Sequence, residues 1–129
     1  MLASYSGAEH RPGAIRVLPE TDRVVAVCLE GEFDLANAPA LGEEIDRALE
    51  SGNDLILDLS ETTFIDSSII EILLRAAQAA GETEHVVVLA LGTAVSVERV
   101  LELVEIERVL PRAHDRREAV RILQQERTT

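Results

Sequence analysis

Six apolar residues stand in an unbroken row at Val86-Val87-Val88-Leu89-Ala90-Leu91. A strand with one wet face alternates apolar and polar residues. A run without alternation suits a parallel strand covered on both faces. Leu55-Ile56-Leu57-Asp58-Leu59 reads the same way apart from its aspartate. Helical spacing recurs between these runs. Leu41, Ile45, Ala48 and Leu49 fall at i, i+4, i+7 and i+8. Ile69, Ile70, Leu73, Leu74 and Ala77 mark a second helix from about Ser67 to Ala80, with Gly81 as its stop. Val97, Val100, Leu101 and Val104 mark a third. Asp115 with Glu118 three residues on has the form of a capping box, opening a last helix through Ala119, Val120 and Leu123.

The start of the chain adds a hairpin. Ile15-Arg16-Val17-Leu18 and the β-branched Val24–Leu29 are separated by the turn-forming Pro19-Glu20-Thr21-Asp22-Arg23. Gly31-Glu32-Phe33-Asp34 is expected to break the second strand. Asn37 is a candidate N-cap for the first helix, with Pro39 in its first turn. Glu43 and Arg47 would pair outward at i,i+4, and Gly52 suits a left-handed cap. Glu107-Arg108-Val109-Leu110, closed by Pro111, reads as a short edge strand. The order is ββαβαβαβα. Such alternation predicts an α/β fold, a mixed sheet of four to five strands with about four helices. Residues 1–13 have the composition of a flexible N-terminal lead, and residues 14–126 read as a single domain.

Composition removes several functions. The 129 residues carry 12 basic against 24 acidic side chains, a net charge of −12. Phosphate contacts need clustered positive charge, and two Phe and one Tyr make no stacking platform, so direct nucleic-acid binding is not expected. All the basic residues are arginine. Without lysine there is no P-loop, no Schiff base and no lysine-dependent response-regulator site. Cys28 is the sole cysteine, which excludes an intrachain disulfide and makes a zinc cluster untenable; in its apolar strand it reads as a small core residue. His10, His85 and His114 lack ligand spacing and read as solvated surface. No run of 18 apolar residues spans a membrane, and Met1–Gly13 lacks the pattern of a secretory signal, so a reducing cytosol is the expected setting.

One stretch concentrates chemistry. Leu55–Leu59 leads through Ser60-Glu61-Thr62-Thr63-Phe64-Ile65, read as a short loop, to Asp66-Ser67-Ser68 at a helix start. Free backbone N–H groups and the helix dipole favour negative charge there, so a phosphate on Ser67 or Ser68 would be well placed. Ordinary N-capping by Asp-Ser-Ser accounts for the same residues. No histidine adjoins the serines and no glycine-rich elbow holds them, so a nucleophilic enzyme built on Asp34, Asp66 and Ser67 is not expected. Asp58 could cap, pair with arginine or face solvent.

Leu57-Asp58-Leu59-Ser60 followed by Thr63-Phe64-Ile65-Asp66-Ser67-Ser68 resembles the signature of the STAS domain, and more narrowly of bacterial anti-sigma factor antagonists. Leu29-Glu30-Gly31-Glu32-Phe33-Asp34-Leu35-Ala36 resembles the family's Gly-Glu-Leu-Asp-Leu-Ala stretch. The resemblance covers about residues 14–126 and implies an interaction protein. Its partner would be an anti-sigma factor that is often a serine kinase, with ATP and magnesium belonging to that kinase and no cofactor to this chain. It also implies Ser67 as phosphoacceptor, with Ser68 as second choice, and a phosphatase that reverses the modification. Asp34, Asp66, Ser67, Ser68 and Ile69 would form the partner-binding surface. The family usually continues Asp-Ser-Ser with Gly-Leu-Gly; here Ile69-Ile70-Glu71 stands instead. Two readings stay open: a divergent antagonist, or a non-switching STAS module in a signalling scaffold or a lipid-transport ATPase complex. Monomer and homodimer stay open too.

Overall fold

The structure is a computed structural model that describes residues 12–128. The elements run β1 (Ala14–Thr21), β2 (Val24–Phe33), α1 (Ala38–Glu50), β3 (Asp54–Asp58), β4 (Thr62–Ile65), α2 (Ser67–Thr83), β5 (Val87–Ala90), α3 (Val95–Leu103), a 3-10 turn (Ile106–Arg108), β6 (Arg112–Ala113) and α4 (Arg116–Thr128). Strand order is β1-β2-β3-β5-β6, with β4 pairing β2 off this path. Among the described residues β1–β2 is antiparallel and the other strand pairings are parallel. This is the expected mixed α/β fold, with six strands where four to five were expected and four α-helices among the described residues.

Side-chain alternation divides the core between two faces. Val27, Leu29, Leu55, Leu57, Val87 and Leu89 join the larger cluster, where Leu41 and Ile45 of α1, Ile69 and Leu73 of α2 and Leu101 of α3 meet them. Their neighbours Ala26, Cys28, Ile56, Val88 and Ala90 face the other way, onto Ala119 and Leu123 of α4. Both faces of β3 and β5 are thus covered, which is why their sequences do not alternate.

Several local expectations are corrected. Gly31–Asp34 does not break β2. The strand continues to Phe33 across a register shift at Gly31, whose φ of +94° glycine adopts without a Cβ penalty. The presumed loop before Asp66 contains β4. Beyond Cys28↔Asp58 the partner of β2 changes from β3 to β4, and Thr62, 3% exposed, donates its hydroxyl to the Leu29 carbonyl at 2.7 Å. Glu107–Leu110 is not a strand: Ile106–Arg108 form a 3-10 turn, and the edge strand is Arg112–Ala113, after Pro111. Gly81 does not stop α2, which runs to Thr83 and ends on Glu84 in the left-handed region. Arg47 pairs with Glu44 at 2.8 Å, one residue closer than Glu43. His85 is not a solvated residue. It is half-buried, with Nδ1 3.7 Å from Oδ1 of the buried Asp54.

Residues 1–11 of the expected lead, His10 included, lie outside the described residues. Pro12 bridges to Glu32, and a Cβ on Gly13 would collide with Asn37 Nδ2 and the Glu32 carbonyl. Those two residues therefore pack against the end of β2.

Candidate functional site

The register of two short strands builds the site. Phe33 of β2 pairs with Ile65 of β4, so Asp34 and Asp66 leave the sheet from neighbouring parallel strands. Each then makes a turn that its own side chain closes. Asp34 Oδ1 accepts from Ala36 N at 2.9 Å. Asn37 does not cap α1 with its side chain. Its Oδ1 accepts from Asp34 N at 2.9 Å and its Nδ2 donates to the Glu32 carbonyl at 3.1 Å, which locks residues 32–37. Pro39 occupies the first turn of α1, where its missing N–H costs nothing.

Asp66 is the N-cap of α2, in extended backbone conformation. Its Oδ1 accepts from Ser68 N at 2.9 Å, from Ile69 N at 3.4 Å and from the Ser68 hydroxyl. These donors, the Ser68 hydroxyl foremost, hold the Asp66 carboxyl below its ordinary range; burial opposes them only in part. The Leu35 N–H makes a smaller contribution in the same direction.

The two serines differ. Ser68 is half-buried and its hydroxyl is committed to Asp66. Ser67 is exposed, and its hydroxyl has no hydrogen bond within the described residues. It stands at the first helical position with Asp66 before it and the exposed Glu71 a turn later.

Ile69 does not belong to the surface. It is fully buried in the core with Ile72, Leu73 and Ala76, because the inward stripe of α2 begins at Ile69. The apolar groups exposed near the serines are others: Leu35 is 73% exposed and Phe64 48%. Sequence reasoning gave neither a role. The signal for Phe64 lay in four residues, Thr62–Ile65, whose pattern is buried–exposed–exposed–buried, without the alternation of a half-buried strand.

Asp58 lies elsewhere, at the end of β3. Its Oδ1 accepts from Ser60 N at 3.0 Å and from Ser60 Oγ at 2.7 Å, while Oδ2 stands 3.5 Å from Arg116 Nε. Cys28 sits beside them. Burial first, and then the Asp58 charge, push its thiol up, so it is held as the thiol and packs as a core residue. Among the described residues no three His, Cys, Asp or Glu side chains cluster as metal ligands, and no helix is long and apolar enough to cross a membrane.

The family model described as STAS domain matches residues 16–119. A search of curated protein sequences finds no match. Among solved structures, an anti-sigma factor antagonist from Mycobacterium paratuberculosis is 26% identical, with a TM-score of 0.74 over 89% of this chain and 98% of that one. The anti-sigma factor antagonist SpoIIAA in its unphosphorylated form gives a TM-score of 0.72 at 19% identity, covering 84% of this chain and 96% of that one. An STAS domain protein from Planctomyces limnophilus, described as an anti-sigma-factor antagonist, gives 0.70 at 24%, covering 85% and 97%. At their identities the last two speak for the fold.

Proposed function

This chain belongs to the STAS domain family, and on that basis we propose that it acts as an anti-sigma factor antagonist. In this reading it binds an anti-sigma factor of the serine-kinase type while Ser67 is unmodified, which frees a sigma factor. Phosphorylation of Ser67 ends the binding, and a phosphatase restores it. The chain contributes a surface and an acceptor hydroxyl; ATP and magnesium belong to the kinase, and the setting is the cytoplasm.

The observation that carries the reading is the Ser67 hydroxyl, exposed and uncommitted beside a carboxylate whose Oδ1 is engaged by Ser68 and Ile69. A kinase needs a serine with those properties; Ser68 lacks them. A phosphate there adds about −1.5 to −2 charge and three acceptor oxygens. Asp66, and Asp34 on the neighbouring loop, are negative already. A partner surface that accepts a neutral hydroxyl would have to desolvate that concentrated charge. A penalty of about 3 kcal/mol lowers affinity roughly a hundredfold. Local repulsion suffices, with no refolding.

The non-switching alternative drew on Ile69 and Ile70 standing where the family has Gly-Leu. Ile69 directs its bulk into the core, and Ile70 is half-buried against the same cluster. The two isoleucines therefore add no bulk beside Ser67, which supports the switching reading, while Glu71, exposed one turn on, adds a charge there.

Incubation with candidate anti-sigma kinases and ATP, read by intact mass spectrometry, tests it. One added phosphate is expected, absent in Ser67→Ala and retained in Ser68→Ala. Equal affinity for the kinase before and after ATP treatment would refute the switch.

A further inference from the structure

A groove runs between α1 and α2, starting at Ser68. It is formed by two hollows of about 500 and 280 Å³ that share Gly42, Asp46, Ile72 and Arg75, so they are continuous. Its floor is apolar or open: Gly42, Ile72, Ala76 and Ala79. From Ser68 to Glu82 the groove follows α2 for about 20 Å at 1.5 Å per residue. That is the length of roughly four turns of a helix laid along it.

The rim is acidic. Glu43, Asp46, Glu71 and Glu82 line the two hollows and all four are exposed; Arg75 is the single base. Some acids elsewhere are ion-paired, Glu30 with Arg16, Glu44 with Arg47, Asp58 with Arg116 and Glu105 with Arg108, while others such as Glu50, Glu61 and Glu102 have no ion pair within the described residues. The four rim carboxylates have no ion pair or side-chain hydrogen bond within the described residues. Among the groove-lining residues Arg75 is the one opposite charge, in a chain already at −12.

Gly42 keeps the groove open. It lies inside α1, where glycine disfavours the helix relative to alanine. A Cβ there would meet only Ile72 Cδ1, at 4.0 Å, an ordinary contact. Neither backbone conformation nor crowding within the chain demands glycine at this position. A larger side chain would project into the groove.

We infer that the α1–α2 groove is the docking site for a basic amphipathic helix of the partner protein. The apolar side of that helix seats on Gly42, Ile72 and Ala79, and its arginines or lysines reach Glu43, Asp46, Glu71 and Glu82. An apolar floor between charged rims is the geometry of helix-in-groove recognition. A basic stripe matches the unpaired charge, whereas a second copy of this acidic chain would be repelled. The inference rests on the proposed antagonist function for the identity of the partner. It divides the interface in two: the groove supplies affinity that does not depend on Ser67, and the repulsion at a phosphorylated serine end outweighs it.

The test uses the full chain, ¹⁵N-labelled, and an 18-residue synthetic helix with lysines on one face and leucines on the other. Expected shifts centre on α1 and α2. Gly42→Leu, which changes no charge, weakens binding at least tenfold without lowering Tm. The triple variant Glu43→Gln, Asp46→Asn, Glu71→Gln, confined to exposed side chains, also weakens it at least tenfold and flattens its salt dependence. Ser67→Asp leaves it within twofold. Shifts centred elsewhere, or wild-type affinity in both the Gly42 and the triple variants, overturn the inference. Phosphorylation of Ser67 with no effect of these variants on kinase affinity overturns the groove alone. Peptide binding in the groove with no kinase acting on Ser67 overturns the antagonist reading alone.

Discussion

Two turns in this molecule share a local design. At the end of β3, Asp58-Leu59-Ser60 closes on itself when Asp58 accepts from the N–H and the hydroxyl of Ser60. At the end of β4, Asp66-Ser67-Ser68 does the same through Asp66 and Ser68. The middle residue and the surroundings separate them. Leu59 is fully buried, and the outer oxygen of Asp58 faces Arg116. Ser67 is exposed, and Asp66 is met by N–H dipoles with no cation among its partners. One turn fastens a strand end to α4. The other presents a hydroxyl beside an unneutralised charge. The same hydrogen-bonding device serves packing or exchange according to what the fold sets around it.

Exchanging the middle residues should separate the two turns most sharply. Leu59→Ser removes a fully buried side chain and buries a hydroxyl, and should cost about 3–5 kcal/mol in urea unfolding. The reverse exchange, Ser67→Leu, changes an exposed position and should stay within about 0.5 kcal/mol. It should nonetheless abolish the mass gain on kinase treatment. A large loss of stability in Ser67→Leu would show that this turn, too, is structural.

Phosphorylation of Ser67 should come next in size, with affinity for the anti-sigma kinase falling about a hundredfold in a titration of the purified phosphoprotein. The Asp66 cap follows. Asp66→Ala should cost about 1 kcal/mol, the usual value of an N-cap side chain. Its pH dependence has a definite sign. The carboxyl titrates below its unfolded value, so the stabilisation is complete above the ordinary carboxylate range and is lost as pH falls through the lowered folded value. Asp66→Asn should flatten that acid limb of the urea midpoint, with other carboxylates still titrating. The smallest effect is a gain: Gly42→Ala should raise stability by up to about 1 kcal/mol, because α1 loses a flexible residue and the new methyl meets only Ile72.

Much of the framework was legible beforehand. Apolar runs announced β5 and the Leu55–Leu57 centre of β3, because strand residues covered on both faces do not alternate; the aspartates of β3 stand at its ends. The stripe Leu41, Ile45, Ala48, Leu49 is buried in α1 as its spacing indicated. The capping pair formed with one change. Asp115 accepts from Glu118 N, but Glu118 reaches the His114 N–H instead of that of Asp115. β4 was not legible. Four residues with two polar members carry no strand signal of their own, and their hydrogen bonds go to a segment about thirty residues earlier. The edge strand was misplaced for a related reason: two residues against β5 weigh less than the left-handed Glu105 that starts the 3-10 turn.

The candidate site divides along the same line. Asp34, Asp66, Ser67 and Ser68 were readable as residue types at a helix mouth. Their separation into one uncommitted hydroxyl and one engaged hydroxyl was not, nor was the passage of Ile69 into the core. By itself the sequence determined the alternating elements, the acidic charge and the capping chemistry, since each depends on neighbours within a few positions along the chain. Only the tertiary structure decided which aspartate meets an arginine, which serine meets solvent and which glycine opens a groove. Those outcomes depend on residues thirty or more positions apart, brought together by strand register and by the burial of helix faces.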